Sequence, residues 1–170
     1  MITVYKPNVN YVDADLYNKF VENLNLYSLI CPECKHHDFQ KHGYYSRKVK
    51  YRNHTVTLRI LRVKCRSCES THAVLLYFMV PYSQYALEVH LKALQSDFVG
   101  KFIEWIEWNE NINEYSFYYI RSQFRKYWKE RLISEKINLD SSLFSNCFHR
   151  FSLQFMQIKC TRNIFIPLST

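Results

Sequence analysis

The chain has 170 residues, 48% of them hydrophobic, and a formal net charge of +8. That is enough apolar mass for a buried core, in one domain or two small ones, and it excludes a disordered chain. No run approaches the roughly 18 apolar residues of a membrane span, and the opening Met1-Ile2-Thr3-Val4-Tyr5-Lys6 lacks a signal-peptide layout. A cytoplasmic protein without membrane contact is expected.

In chain order, Ile2 to Tyr5 reads as a short strand. Asp13 or Asp15 then caps a helix that carries Leu16, Phe20 and Leu24 on one face, an N-terminal brace over residues 1–30. Residues 31–80 come next. They open on Cys31-Pro32-Glu33-Cys34 and contain Cys65-Arg66-Ser67-Cys68, with thirty residues between the pairs. Each Cys-x-x-Cys can turn both sulfurs toward one point, so the two pairs supply the four thiolates of a tetrahedral ion with metal–sulfur bonds of about 2.3 Å. Four protein ligands leave no open position. One structural Zn2+ on Cys31, Cys34, Cys65 and Cys68 is therefore expected, with Cys3His sets drawing on His36, His37 or His42 ranked below it. Thiolate chemistry alone leaves iron as an alternative to zinc. In a reducing cytosol such pairs favour metal over disulfides.

Between the pairs, His42 to Tyr51 and Thr55 to Val63 are rich in β-branched and aromatic residues, with a turn at Arg52-Asn53-His54. Val56, Leu58 and Ile60 fall on one face, and Thr55, Thr57 and Arg59 on the other. Leu61 and Val63 continue that second face, which implies a bulge or a strand buried on both sides. Thr71 to Leu76 completes a small antiparallel sheet of zinc-ribbon type.

Residues 81–135 read as helical. Pro81 ends the sheet, Ser83 caps a helix bearing Leu87, Leu91 and Leu94, and Gly100 stops it. A second helical pattern runs from Phe102 to Trp108, followed by the turn Asn109-Glu110-Asn111-Ile112-Asn113. From about Glu114 to Leu132, Phe117, Ile120, Phe124 and Tyr127 form an apolar face, while Tyr118, Arg121, Ser122, Arg125 and Lys129 form a basic one. Three helices with a short turn before a basic third fit a helix-turn-helix, whose last helix enters the major groove. In residues 136–170, Asp140-Ser141-Ser142 caps a closing helix with Leu143, Phe144, Cys147, Phe148, Phe151, Phe155 and Met156, and Asn163 to Pro167 suits an edge strand. Cys147 and Cys160 read as idle thiols. The fold class is α+β: a small antiparallel zinc-ribbon sheet followed by a helix-turn-helix-like region.

Charge is clustered. Residues 35–66 hold ten Lys or Arg against Asp38 alone, residues 67–120 carry a net −5, and residues 121–170 a net +6. Basic blocks of this kind suit a polyanion, since each phosphate neutralised releases counterions. Lys48, Lys50, Arg52, Arg59 and Arg62 are expected on phosphates, and Tyr118, Arg121, Ser122, Arg125 and Lys129 on the recognition helix. Catalytic motifs are missing. Asp97, Glu104, Glu107, Glu110 and Glu114 read as a solvated face, and no phosphate-binding glycine loop or activated nucleophile is present, so no enzymatic activity is expected.

Read together, Cys31-Pro32-x-Cys34, His42-Gly43-Tyr44-Tyr45-x-Arg47, Arg62-Val63-Lys64-Cys65-x-x-Cys68, Thr71-His72-Ala73 and Val80-Pro81-Tyr82-Ser83 resemble a bacterial domain-of-unknown-function family. Its members combine a transposase-like zinc ribbon with a helix-turn-helix, and many look like DNA-binding parts of insertion-sequence proteins. The resemblance runs nearly end to end, through Phe155-Met156-Gln157 and Thr161-Arg162-Asn163. Where the family's knuckles place glycine after the second cysteine, this chain has Lys35 and Glu69. The resemblance implies a nucleoid-associated protein binding specific duplex DNA, as a transposon-associated accessory protein or a transcriptional regulator. Two alternatives are RNA or single-strand binding, with Tyr44, Tyr45 and Tyr51 stacking on bases, and a protein-interaction scaffold for a partner such as a transposase.

Overall fold

The computed structural model describes residues 1–4, 12–99, 112–140 and 142–158. Four strands, β1 (Ile2–Val4), β2 (Phe39–Tyr51), β3 (His54–Cys65) and β4 (Thr71–Leu76), form one sheet in the order β1-β4-β3-β2. The helices are α1 (Ala14–Glu22), α2 (Leu87–Val99), α3 (Glu114–Tyr127), α4 (Lys129–Ser134) and α5 (Leu143–Phe151), with a 3-10 turn at Leu26–Ser28. The class is α+β, as expected. The sheet is mixed where the sequence pointed to antiparallel pairing alone, because β1 joins β4 in parallel through Ile2 opposite Val74 and Val4 opposite Leu76. Among the described residues, no helix is long and apolar enough to cross a membrane.

The long hairpin of β2 and β3 follows from its residues. Arg52 takes φ 51 in the two-residue turn, where a tight hairpin needs a left-handed residue. Along β3, Leu58 and Ile60 are buried on one face and Leu61 and Val63 on the other, while Thr55, Thr57 and Arg59 are exposed. The strand is thus buried on both sides toward its cysteine end. A bulge also occurs, but in β2, where the register shifts between Lys41 and Gly43 and Gly43 takes φ 110.

α1 packs on β3. Asp13 caps it, accepting the Leu16 amide at 2.8 Å. Its buried residues are Tyr17, Phe20 and Val21, and Leu24 just past its end is buried too, so of the expected stripe only Leu16 is displaced from the core, by Tyr17. The displacement has a polar cause. β3 and β4 pair at Arg62–Ala73, and the next pair in that register would be Leu61–Val74. There the Tyr17 hydroxyl stands between the strands, accepting the Leu61 N–H at 3.1 Å and donating to the Val74 carbonyl at 2.7 Å.

In β2, Arg47 sits opposite Leu58 and donates to the carbonyls of Val80 and Ser83, each at 2.6 Å. This pins the segment after β4 to the hairpin. Residues 84–86 then pair with the outer edge of β2, the Lys50 N–H reaching the Gln84 carbonyl at 2.7 Å and the Ala86 N–H the Lys50 carbonyl at 2.9 Å. That pairing moves the start of α2 to Leu87, four residues past the expected cap. Ser83 has other partners: it accepts the Tyr85 N–H and bonds the buried His90 ring, both at 3.0 Å.

α2 packs on α3. Gly100, the helical pattern from Phe102 to Trp108, the following turn up to Asn111, Cys160 and the tail strand from Asn163 to Pro167 lie outside the described residues. The third helix was expected to run to Leu132, but it breaks at Trp128, where φ is −121 and the fully buried indole donates to the Gln157 carbonyl at 3.1 Å. α5 ends in a left-handed Ser152 at φ 53, so Phe155 and Met156, expected inside that helix, reach the core from the turn beyond it. One buried cluster draws on β1, α1, the sheet and the helices to Met156.

Candidate functional site

The two cysteine pairs meet at one end of the hairpin. Cys31 Sγ lies 3.6 Å from Cys68 Sγ and Cys34 Sγ 3.5 Å from Cys65 Sγ, with all four sulfurs within 4.8 Å of one another. A tetrahedron with 2.3 Å bonds has edges of about 3.8 Å, so the quartet fits a closed four-coordinate ion. Local backbone builds it twice. Lys35 N–H bonds the Cys31 carbonyl, and the Cys31 and Cys65 amides reach the His36 and Ser70 carbonyls, all at 2.9 Å. Lys35 and Glu69, which follow the second cysteine of each pair, take φ 69 and 59, the conformation in which glycine would be free of strain. The two turns are tied together by Arg66 N–H on the Asp38 carbonyl at 2.9 Å.

The thiols differ in proton affinity. Burial raises Cys31. The His36 amide pulls Cys34 down, but burial and the three neighbouring sulfurs outweigh it and carry it up to about 12. The Ser70 hydroxyl and amide hold Cys68 down at about 6. His36, His37 and His42 are all exposed. The histidine against the cluster is one the sequence reading passed over: His72 is buried with Nε2 3.5 Å from Cys31 Sγ. It stands opposite Val63, two residues before Cys65 on the same face of β3, so strand alternation carried the signal. Cys147 is buried in α5, and burial pushes its thiol up to about 12.

The hairpin cations do not form a single patch. Lys48 and Arg59 are exposed and share one face, with the Arg59 guanidinium 4.3 Å from the centre of the Tyr44 ring. Arg62 alternates to the opposite face. Lys50 lies over Tyr85 at 5.3 Å, and Arg52 pairs with Glu88 at 3.6 Å at the turn. Of the three tyrosines proposed to stack on bases, Tyr44 and Tyr45 are exposed and Tyr51 is buried.

α3 gathers its expected set more closely. Asn113 caps it through the Ser116 amide at 2.8 Å, and Phe117, Ile120 and Phe124 are buried. The solvent side forms a concavity of about 560 Å³ lined by Tyr118, Arg121, Ser122, Arg125 and Lys126. Lys129, expected on this face, sits exposed at the start of α4 beyond the Trp128 break, and Lys126 takes its place in the concavity. The Arg121 guanidinium rests 5.2 Å from the Phe117 ring centre, which orients it along the helix.

Residues 31–104 match a family described as a domain of unknown function (DUF6431). The DUF6431 stretch contains both cysteine pairs, the hairpin, β4 and α2, while α3, α4 and α5 lie beyond it. No curated protein and no solved structure matches the chain. Among the described residues, the cysteine quartet is the one group of His, Cys, Asp or Glu arranged to hold a metal ion. Of the acidic series, Glu104, Glu107 and Glu110 lie outside the described residues, Asp97 falls in α2 and Glu114 is exposed in the first turn of α3.

Proposed function

We propose that the protein is a zinc-ribbon, helix-turn-helix-like module that binds duplex DNA, with one structural Zn2+ on Cys31, Cys34, Cys65 and Cys68 and no catalytic role of its own. The observation that carries this reading is the α3 concavity, where three cations and two hydroxyl side chains stand on one exposed helix face. An α-helix is the element that the major groove admits, and arginine pairs bidentately with guanine edges there. Arg121 and Arg125 are assigned to base edges, with Lys126, Lys48 and Arg59 on phosphates. The metal would root the hairpin at its cysteine end, while Arg47 on the Val80 and Ser83 carbonyls ties the strand that carries Lys48 to the segment leading into the helices. A transposon-associated or regulatory role in a bacterial cytoplasm follows from the resemblance to DNA-binding parts of insertion-sequence proteins.

The test is fluorescence anisotropy with selected and random duplexes over a range of salt. Log affinity should fall linearly with log salt, by about 0.9 for each phosphate neutralised. Lys48→Ala and Arg59→Ala should weaken every sequence and flatten that slope by about one each. Arg125→Ala should lose about tenfold or more on a selected site relative to random DNA. Affinity indifferent to salt and to all three substitutions would rule the reading out.

A further inference from the structure

On the flank of α3 next to the basic concavity, a groove of about 380 Å³ opens between the first turns of the helix and the segment after β4. Tyrosines dominate it: Tyr82, Tyr85, Tyr115 and Tyr119 line it, with Ile120 at its base. It shares Tyr82, Ser83, Tyr119 and Ile120 with a deeper recess of about 290 Å³, to which Val80, Met156 and the buried His90 contribute. None of the side chains lining either space is a Lys, Arg, Asp or Glu, in a chain of net charge +8.

The lip of this groove is built at a conformational cost. Ser83 N–H closes a turn on the Val80 carbonyl at 3.1 Å, with Pro81 second and Tyr82 third at φ 62. That third position favours glycine or asparagine, and a bulky aromatic there is an outlier. The ring it displays is 68% exposed. Both ends of the turn are gripped by Arg47 through the Val80 and Ser83 carbonyls. The segment that carries this lip is joined to the α3 wall by the Tyr85 hydroxyl on Ser116 Oγ at 2.8 Å. Strain held in place by surrounding bonds, with an aromatic ring turned to solvent, marks a binding edge.

Successive helix residues are about 100° apart, so Tyr115 and Tyr119 border Tyr118 and Ser122 on the basic side. An aromatic, uncharged slot beside a cationic one matches the two halves of a nucleotide, a π-faced base and its phosphate. A nucleotide engages both slots at once, whereas an uncharged peptide would engage the aromatic one alone. Resting on the DNA reading above, we infer that the tyrosine groove takes an unstacked nucleobase from a DNA strand whose adjoining phosphate lies on Lys126. Bases free of a partner enter such a pocket at least cost, so the groove selects DNA with an unpaired nucleotide.

The test compares two duplexes of the same random-pool sequence, one fully paired and one with a single unpaired adenine, in anisotropy titrations of the full chain. Preference for the unpaired adenine should be about tenfold, the scale of one base–aromatic stack. Tyr82→Gly removes the ring while suiting the turn, so folding is preserved. It and Tyr119→Leu should bring the ratio close to one and leave affinity for the paired duplex unchanged. Lys126→Ala should weaken both duplexes and keep the ratio. A wild-type ratio of one with paired-duplex binding intact overturns the inference alone, as does a ratio indifferent to both tyrosine variants. No binding to either duplex overturns the DNA reading with it, and displacement of the bulged duplex's preference by an uncharged proline-rich peptide assigns the groove a protein partner instead.

Discussion

Metal uptake by the cysteine quartet should be steeply pH-dependent, and the slope can be worked from the individual thiols. A metal ion takes thiolates, so every proton held by the metal-free cluster must leave on binding. Cys31, raised by burial, and Cys34, carried up to about 12, are both protonated at pH 7, whereas Cys68, held at about 6, is already ionised. At least two protons are therefore displaced. The sign is fixed: raising the pH removes a competitor, and two displaced protons raise the apparent association constant about a hundredfold per pH unit above pH 7. Below about pH 6 the Cys68 thiolate also takes up its proton, and the slope steepens by about one further decade per unit. Competition for Zn2+ against a chromophoric chelator at several pH values measures the slope. Calorimetry in two buffers of different ionisation enthalpy counts the protons. An affinity that changes less than tenfold per pH unit between pH 7 and 8, or release of fewer than one proton, would refute the assignment of protonated thiols to the apo cluster.

Three further substitutions follow from the packing. Tyr17→Phe strips the partner from a buried N–H and a buried carbonyl and should cost about 2–5 kcal/mol, seen as a lower urea midpoint at unchanged slope; a loss under about 0.5 kcal/mol would show that the strands close the gap unaided. Arg47→Met keeps the aliphatic stem but leaves the Val80 and Ser83 carbonyls without their charged donor. A loss of about 2 kcal/mol or more is expected by chemical denaturation, with faster amide exchange in residues 80–84. Glu69→Gly should raise stability by up to about 1 kcal/mol, since it relieves a left-handed residue and gives up only an exposed ion pair with Lys64; a lower melting temperature for the metal-loaded protein would contradict the geometry of that turn.

Local chemistry was legible in the sequence, and distant pairing was not. The cysteine quartet could be read because its ligand spacing lies within two short turns, and the left-handed Lys35 and Glu69 follow from the same turns. The Asp13 cap and the two-sided burial of β3 rest on neighbours a few residues away. Helical periodicity could not identify Tyr17, because what draws its hydroxyl inward stands 44 and 57 residues along the chain. Nor could propensity reveal the α3 break, which serves an indole bond from Trp128 to the Gln157 carbonyl. The late start of α2 has the same origin, since residues 84–86 are taken up by the edge of β2. On the basic surface, residue type indicated cations correctly, but face and neighbours scattered the hairpin set and exchanged Lys129 for Lys126 on the helix.

The tyrosine hydroxyl between β3 and β4 acts as a stop in a zipper. Leu61 and Val74 present the donor and acceptor that would extend the pairing by one more step, and a single oxygen from a helix holds them apart. β4 thus pairs with β3 over three residue pairs, and from Val74 onward it pairs on its other edge with β1. The length of β3–β4 pairing at the cysteine end is thus set by the reach of one side chain from α1, and at that oxygen the pairing of the strand that leaves the cysteine cluster passes from one edge to the other.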